Sequence, residues 1–297
     1  MEIEGNESKL TLPLDASATT STSTSKRPSA AVSLSIHLSA CESLHIQPTH
    51  SSLHPSPHLK PPPNPPLPYK LPDLPIITTP HAKSHLASAS KDPSETFTAV
   101  HDLDFFDDCL VDIVGSSAAI KVTGMPGKHV PPGPGGVAGK LNDLLGAPQK
   151  LTKGPVRTFP QVPPTNGWML ELGHRGVNAD DFRPGYRIYI SGDTLLVPEL
   201  SAIPERYPHV DLMLVHLGGT TIPSPSVPLL MVTMDAAQGV ELVRLIGPDL
   251  TIPIHYDDYD VFLSPLSDFK RAMEEAGLGD KVVYLDRKDA YRFRVGG

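Results

Sequence analysis

Three residues of types that bind divalent metals stand where apolar runs of this chain end. "AAIKVTGMPGKH" runs into His129, "YRIYISGD" into Asp193 and "LTIPIH" into His255. Neutral imidazole and carboxylate are ligands for zinc, iron and manganese. A strand tip is a sound place for them, because a rigid sheet aims loop chemistry accurately. Each position also has an ordinary reading. Gly192 and Asp193 are common turn residues, and a single histidine at a strand end is more often structural. His216 in "VHLGGT" stands at a fourth strand end. It reads either as a contact to a substrate or as a histidine bonded within its own loop. Asp257 and Asp258 follow His255 closely. They suit either a solvated turn or acceptors that orient imidazoles from behind. His81 and His85 lie four apart in "HAKSH", but Ala82 stands where a zincin would carry glutamate. They read as ordinary helix residues.

These residues need a scaffold, and the patterning supplies one. "LPIITT" (74–79) predicts a strand, followed by a helix with Thr79 as N-cap and Pro80 in its first turn. Residues 109–125 predict two strands around a Gly-Ser turn. "GWMLELG", "RIYISGD" and "DLMLVHLGG" predict three more. Residues 235–247 predict a helix with Ala236, Val240 and Val243 on one face, Ile246 at its margin, and Gly247 as the C-terminal cap. "LTIPIH" predicts a strand, 266–279 a helix ending at Gly277, and "KVVYLD" and "YRFRV" two closing strands. Strands apolar on both faces and mixed with helices indicate a layered α/β sandwich.

Composition bounds the rest. The 297 residues include 34 prolines and 39% hydrophobic residues, which suggests a core plus a segment outside it. Residues 1–72 hold a Ser/Thr-rich tract and the proline-dense "HPSPHLKPPPNPPLPYKLP". They read as a disordered tail, because proline lacks the N–H that ladders need; the folded domain is expected over 73–297. A net charge of −8 argues against nucleic acid or an anionic membrane as partner. Two cysteines, Cys41 and Cys109, exclude a disulfide framework and a cysteine zinc site. No apolar run reaches the ~18 residues of a membrane helix. Glu2, Glu4 and Glu7 stand where a secretory signal would be basic. A cytoplasmic protein is expected.

Together, "VTGMPGKHVPPGP", "YISGDT", "VDLMLVHLGGT" and "IPIHYDDYDVF" resemble the metallo-β-lactamase superfamily over about residues 73–297. The nearest likeness is to its branch of sugar-phosphate lactonases and phospholipase-D-like hydrolases of N-acyl phospholipids. The resemblance implies an αββα sandwich, incomplete in its N-terminal half, with Zn2+ or another divalent metal, often as two ions, at one edge. It implies that His129 and His255 are ligands of different ions and that Asp193 is the catalytic carboxylate bridging both. It implies hydrolysis of a small ester, lactone or phosphodiester through a metal-bound hydroxide. The family's His-x-His-x-Asp-His stretch does not occur within these 297 residues. Two expectations follow: a metal-dependent hydrolase with reduced metal occupancy, or a truncated, non-catalytic relative that acts as a binding protein.

Overall fold

A computed structural model describes residues 75–88, 96–113, 115–129, 165–176, 181–224, 227–257, 262–286 and 289–295, with the backbone of three strands before residue 49. Close contacts divide the chain into two units, Leu12–Asp102, and Met1–Thr11 with Leu103–Gly297. Strand β1 (Lys9–Leu12) is an edge of the larger unit's sheet. In the smaller unit, β2 (Leu34–Ser39) and β3 (Ser43–Pro48) pair antiparallel. Beside them lie β4 (Ile76–Thr78) and, after helix α1 (Pro80–Leu86), β5 (Val100–Asp102), parallel to β4. The start of α1 follows its sequence: the Thr79 hydroxyl accepts the Ala82 N–H at 3.1 Å and Pro80 opens the first turn. Strands β1 to β3 fall inside the 1–72 stretch read as a tail. They are short alternating runs without proline before Pro48, so nothing local forbids a ladder there. The proline-dense 54–72 lies outside the described residues.

The larger unit is built on a seven-stranded mixed sheet. Strands β6 (Asp108–Ile113), β7 (Ala118–Met125), β8 (Gly167–Arg175) and β9 (Phe182–Ile190) form an antiparallel meander. Then β10 (Leu212–His216) joins β9 in parallel. The connection carries helix α2 (Ala202–Arg206), because parallel neighbours need a long crossover. A hairpin of β11 (Thr221–Ser224) and β12 (Val227–Met231) and helix α3 (Ala236–Ile246) lead to β13 (Leu250–Ile254), parallel to β10. Helix α4 (Leu266–Glu275) follows.

Both faces of the central strands are buried, which is why their sequences read as nearly continuous apolar runs. One face carries Met169, Tyr189 and Met213 in register. They pack with Leu200, Ile203, Val240, Val243, Phe269 and Met273 in a single cluster. The other face carries Val122, Leu170, Ile188 and Leu212 in register, also buried. Helix α3 meets its expectation in full. The Asp235 carboxylate accepts the Gln238 N–H at 2.9 Å, and Gly247 closes the helix at φ +62°. Its buried residues include Ala236, Val240, Val243 and Ile246. Gly277 ends α4 in the same conformation, at φ +70°.

The two closing strands are corrected. "KVVYLD" meets β13 at one point, a parallel bridge from Val282 to Thr251, and no ladder extends from it. Residues 291–295 are exposed and lie outside any strand; Phe293 stacks on Tyr186 with ring centroids 4.3 Å apart. Alternating apolar residues specify a face, and a strand also needs a neighbour with free backbone groups in register.

Candidate metal centre

Strand directions bring the sequence-predicted residues to one edge. Strands β7 and β9 each run antiparallel to β8, and β10 and β13 run parallel to β9. The C-terminal ends of β7, β9, β10 and β13 therefore share an edge. His129 follows β7, Asp193 follows β9, His216 ends β10 and His255 follows β13.

Asp193 is the centre of the group. Its Oδ2 lies 3.7 Å from His129 Nε2, and its Oδ1 lies 3.6 Å from His255 Nδ1. The two imidazoles thus approach different oxygens of one carboxylate. Two ligands of a tetrahedral zinc with bonds of about 2.1 Å stand about 3.4 Å apart, so the His129 Nε2–Asp193 Oδ2 pair is spaced like two ligands of a common ion, whereas His255 Nδ1, also bonded to the Leu217 carbonyl, carries its proton there and leaves Nε2 as its ligand atom. The three residues do not converge on a single point. Among the described residues, the group whose ligand atoms all lie within 4.8 Å of one another is His209, Asp211 and Asp249, before β10 and β13 at the opposite edge. There the two imidazole nitrogens of His209 face the two carboxylates, at 3.9 Å and 3.2 Å.

The backbone around Asp193 explains the glycine before it. Gly192 sits at φ +64°, and a Cβ there would stand 2.5 Å from the Asn166 carbonyl oxygen. Only glycine lets the chain pass so close and still turn. His255 is held at φ +58°, a region costly for a side chain by about 1–3 kcal/mol. Its Nδ1 also lies 3.2 Å from the Leu217 carbonyl. Strain of this kind collects where function fixes a side chain.

Electrostatics favours an ionised carboxylate. Burial alone would raise the Asp193 pKa. The contact with His129, and the attraction of the three imidazoles wherever they are protonated, outweigh it and hold the group below the ordinary carboxylate range. Burial drives His216 down to about 4, against the pull of Asp193 and with a push from His255, so its ring is neutral near pH 7. Ser191, fully buried, organises that ring. Its hydroxyl donates to the Gly192 carbonyl at 3.0 Å and accepts the His216 backbone N–H at 2.9 Å. The same oxygen lies 3.3 Å from His216 Nδ1. Ser191 and Thr194 were not singled out from sequence. Their signal was the presence of hydroxyls on either side of Gly192–Asp193.

A cavity of about 760 Å³ opens beside His255, lined by Ile252, Ile254, Tyr256, Asp257, Leu266 and Leu285 among others. Asp258 lies outside the described residues. His81 and His85 lie in the smaller unit on α1, with ring centroids 4.7 Å apart. Among the described residues, no helix is long and apolar enough to cross a membrane.

No protein-family model matches the chain. Curated relatives do match over part of it. A UPF0173 metal-dependent hydrolase of Archaeoglobus fulgidus is 29% identical over 109 residues, covering 37% of this chain and 42% of the relative. One from Methanospirillum hungatei is 33% identical over 115 residues, covering 37% and 47%. The chain thus spans about half the length of the curated relatives it matches. Among solved structures, an isothiocyanate hydrolase from Delia radicum gut bacteria superposes with a TM-score of 0.51 at 16% identity, over 75% of this chain and 68% of that one. The chain therefore shares its α/β fold with that hydrolase and is similar, over part of its length, to UPF0173 metal-dependent hydrolases.

Proposed function

We propose that the chain is a metal-dependent hydrolase of the metallo-β-lactamase superfamily, in the branch of lactonases and phospholipase-D-like enzymes. The observation that carries this reading is the Asp193 carboxylate with His129 and His255 against its opposite oxygens. In this reading His129 would help to hold one zinc ion, His255 would help to hold a second, and Asp193 would serve both. The ions supply Lewis acidity toward water and toward the bond under attack. The protein's part is to bind and orient. Asp193, ionised and fixed behind Gly192, would offer one oxygen toward each histidine. His216, neutral and turned by Ser191, contacts the substrate. The cavity beside His255 takes the remainder of a small ester, lactone or phosphodiester.

A second reading has its own support. Residues 1–297 contain no His-x-His-x-Asp-His, so ligands for the His129 ion are few, and a non-catalytic binding protein fits that shortage. One experiment separates the readings. The purified chain is assayed for zinc by elemental analysis and for hydrolysis of model esters and phosphodiesters, beside Asp193→Ala. The hydrolase reading expects fewer than two zinc equivalents, slow turnover, and loss of both in the variant. Zinc lost in the variant with no turnover in either protein favours the binding protein. Zinc content unchanged by Asp193→Ala removes Asp193 from the site.

A further inference from the structure

We propose that Thr194 is a positioning residue whose hydroxyl ties the segment bearing His129 to the segment bearing Asp193 and sets the distance between them. The inference rests on the reading of His129 and Asp193 as ligands of a common ion.

Thr194 is fully buried. Its Oγ1 accepts the Lys128 backbone N–H at 2.8 Å. The same oxygen lies 2.9 Å from the Leu195 carbonyl and 3.3 Å from the Lys128 carbonyl, either of which takes its proton. The Leu195 N–H donates back to the Lys128 carbonyl at 2.8 Å. Both backbone groups of Lys128 are thus engaged by residues 194 and 195, although 66 positions separate Lys128 from Thr194. Thr194 is itself anchored. Its N–H donates to the Gly192 carbonyl at 2.9 Å, and its carbonyl accepts the Met234 N–H at 3.2 Å.

The consequence is geometric. His129 is the next residue after Lys128, and Asp193 immediately precedes Thr194. Strand β7 ends at Met125, so the described chain carrying His129 has already left the sheet ladder when it meets Thr194. The tie to Thr194 and Leu195 takes over where the ladder stops. His255 is held differently. The Leu217 N–H donates to the Ile254 carbonyl at 3.1 Å, and His255 Nδ1 lies 3.2 Å from the Leu217 carbonyl. Neither contact involves Thr194.

This asymmetry separates positioning from general stability. Removing the hydroxyl orphans the Lys128 N–H and leaves the Leu195 N–H bond to the Lys128 carbonyl to carry the tie, which loosens His129 relative to Asp193, while His255 keeps its own supports. A residue that merely stabilised the fold would weaken both halves of the site alike.

The test uses the full chain and zinc, with affinity read by competition against a chromophoric chelator. Thr194→Val and Thr194→Ser are placed in the wild-type, His129→Ala and His255→Ala backgrounds, each checked for folding by circular dichroism. Thr194→Val is expected to weaken zinc binding about 10–100-fold in the His255→Ala background, the usual effect of removing a group that orients a ligand. In the His129→Ala background it should change affinity by about twofold or less, since distant effects add while coupled ones do not. Thr194→Ser, which keeps the oxygen, should stay close to its background. If Thr194→Val does not fold, Thr194→Ala deletes the same hydroxyl without adding bulk and is read in the same way. Equal weakening in both backgrounds, or none in either, overturns the proposal. A wild-type chain that binds no zinc overturns the ligand reading beneath it, which is a different result from zinc binding that ignores Thr194.

Discussion

Replacing Gly192 by alanine asks how tightly the turn before Asp193 is packed. The backbone there is left-handed at φ +64°. A side chain in that conformation costs about 1–2 kcal/mol by itself. The new Cβ would also stand 2.5 Å from the Asn166 carbonyl oxygen. That oxygen cannot swing aside, because it belongs to the backbone of a buried residue whose side-chain amide donates to the Leu103 carbonyl at 2.9 Å. Overpacking of this kind costs about 1–3 kcal/mol more. Gly247 provides the control, at φ +62° with nothing within 4 Å of an added Cβ. Gly247→Ala therefore reports backbone strain alone, and the difference between the variants reports the contact. That difference is expected at about 1–3 kcal/mol, or about 2–12 °C in Tm at about 2–4 °C per kcal/mol. The assay is thermal unfolding of the full chain followed by circular dichroism with chelator present, so that metal binding does not enter. Equal losses for the two variants would refute the close approach of residues 192 and 166, and with it the reason for glycine before Asp193.

Three other outcomes are expected. Burial, with the neighbouring Asp108 charge adding to it, pushes the Cys109 thiol up to about 12. At pH 8 only about one molecule in ten thousand would carry the reactive thiolate. Alkylation mapped by mass spectrometry should reach Cys109 only on unfolding, and native labelling at the rate of an open thiol would contradict its placement. Phe269 is buried in the cluster shared by α3 and α4. Phe269→Ala should cost about 3–5 kcal/mol in urea unfolding, and a loss below about 1 kcal/mol would remove it from the core. Limited proteolysis tests the domain boundary. A stable fragment beginning near residue 73 supports the division expected from sequence, whereas one beginning near residue 103 supports the division drawn by close contacts.

Local elements were legible where a residue carries its own structural instruction. Thr79 and Pro80 announced α1; Asp235 and Gly247 bracketed α3; each observed cap uses the group expected of it. The strands β6 to β9 were legible as apolar runs, most plainly in β7, β8 and the second half of β9, but their antiparallel pairing was not. The closing segments were not, since whether Val282 or Phe293 pairs with a neighbour depends on which edge is free. Positive φ at Phe106 and His255 also left no trace, because neither residue type favours that conformation. Phe106 is capped by the Arg206 guanidinium, 3.8 Å from its ring centroid, a contact across a hundred positions.

The site divides along the same line. The sequence by itself determined which residues could do chemistry: an imidazole or a carboxylate after each of several apolar strands, with a glycine where the chain must turn. That information is local, because side-chain type and strand periodicity are properties of a few consecutive residues. Only the tertiary structure decided that β7, β9, β10 and β13 end at one edge, since strand direction follows from the crossovers and from pairing between distant segments. It alone decided that His129 and His255 meet opposite oxygens of Asp193, and that a hydroxyl at Thr194 spans to Lys128. Those are distances of a few ångströms between residues tens of positions apart, and they are fixed by strand register and close packing, which no single segment contains.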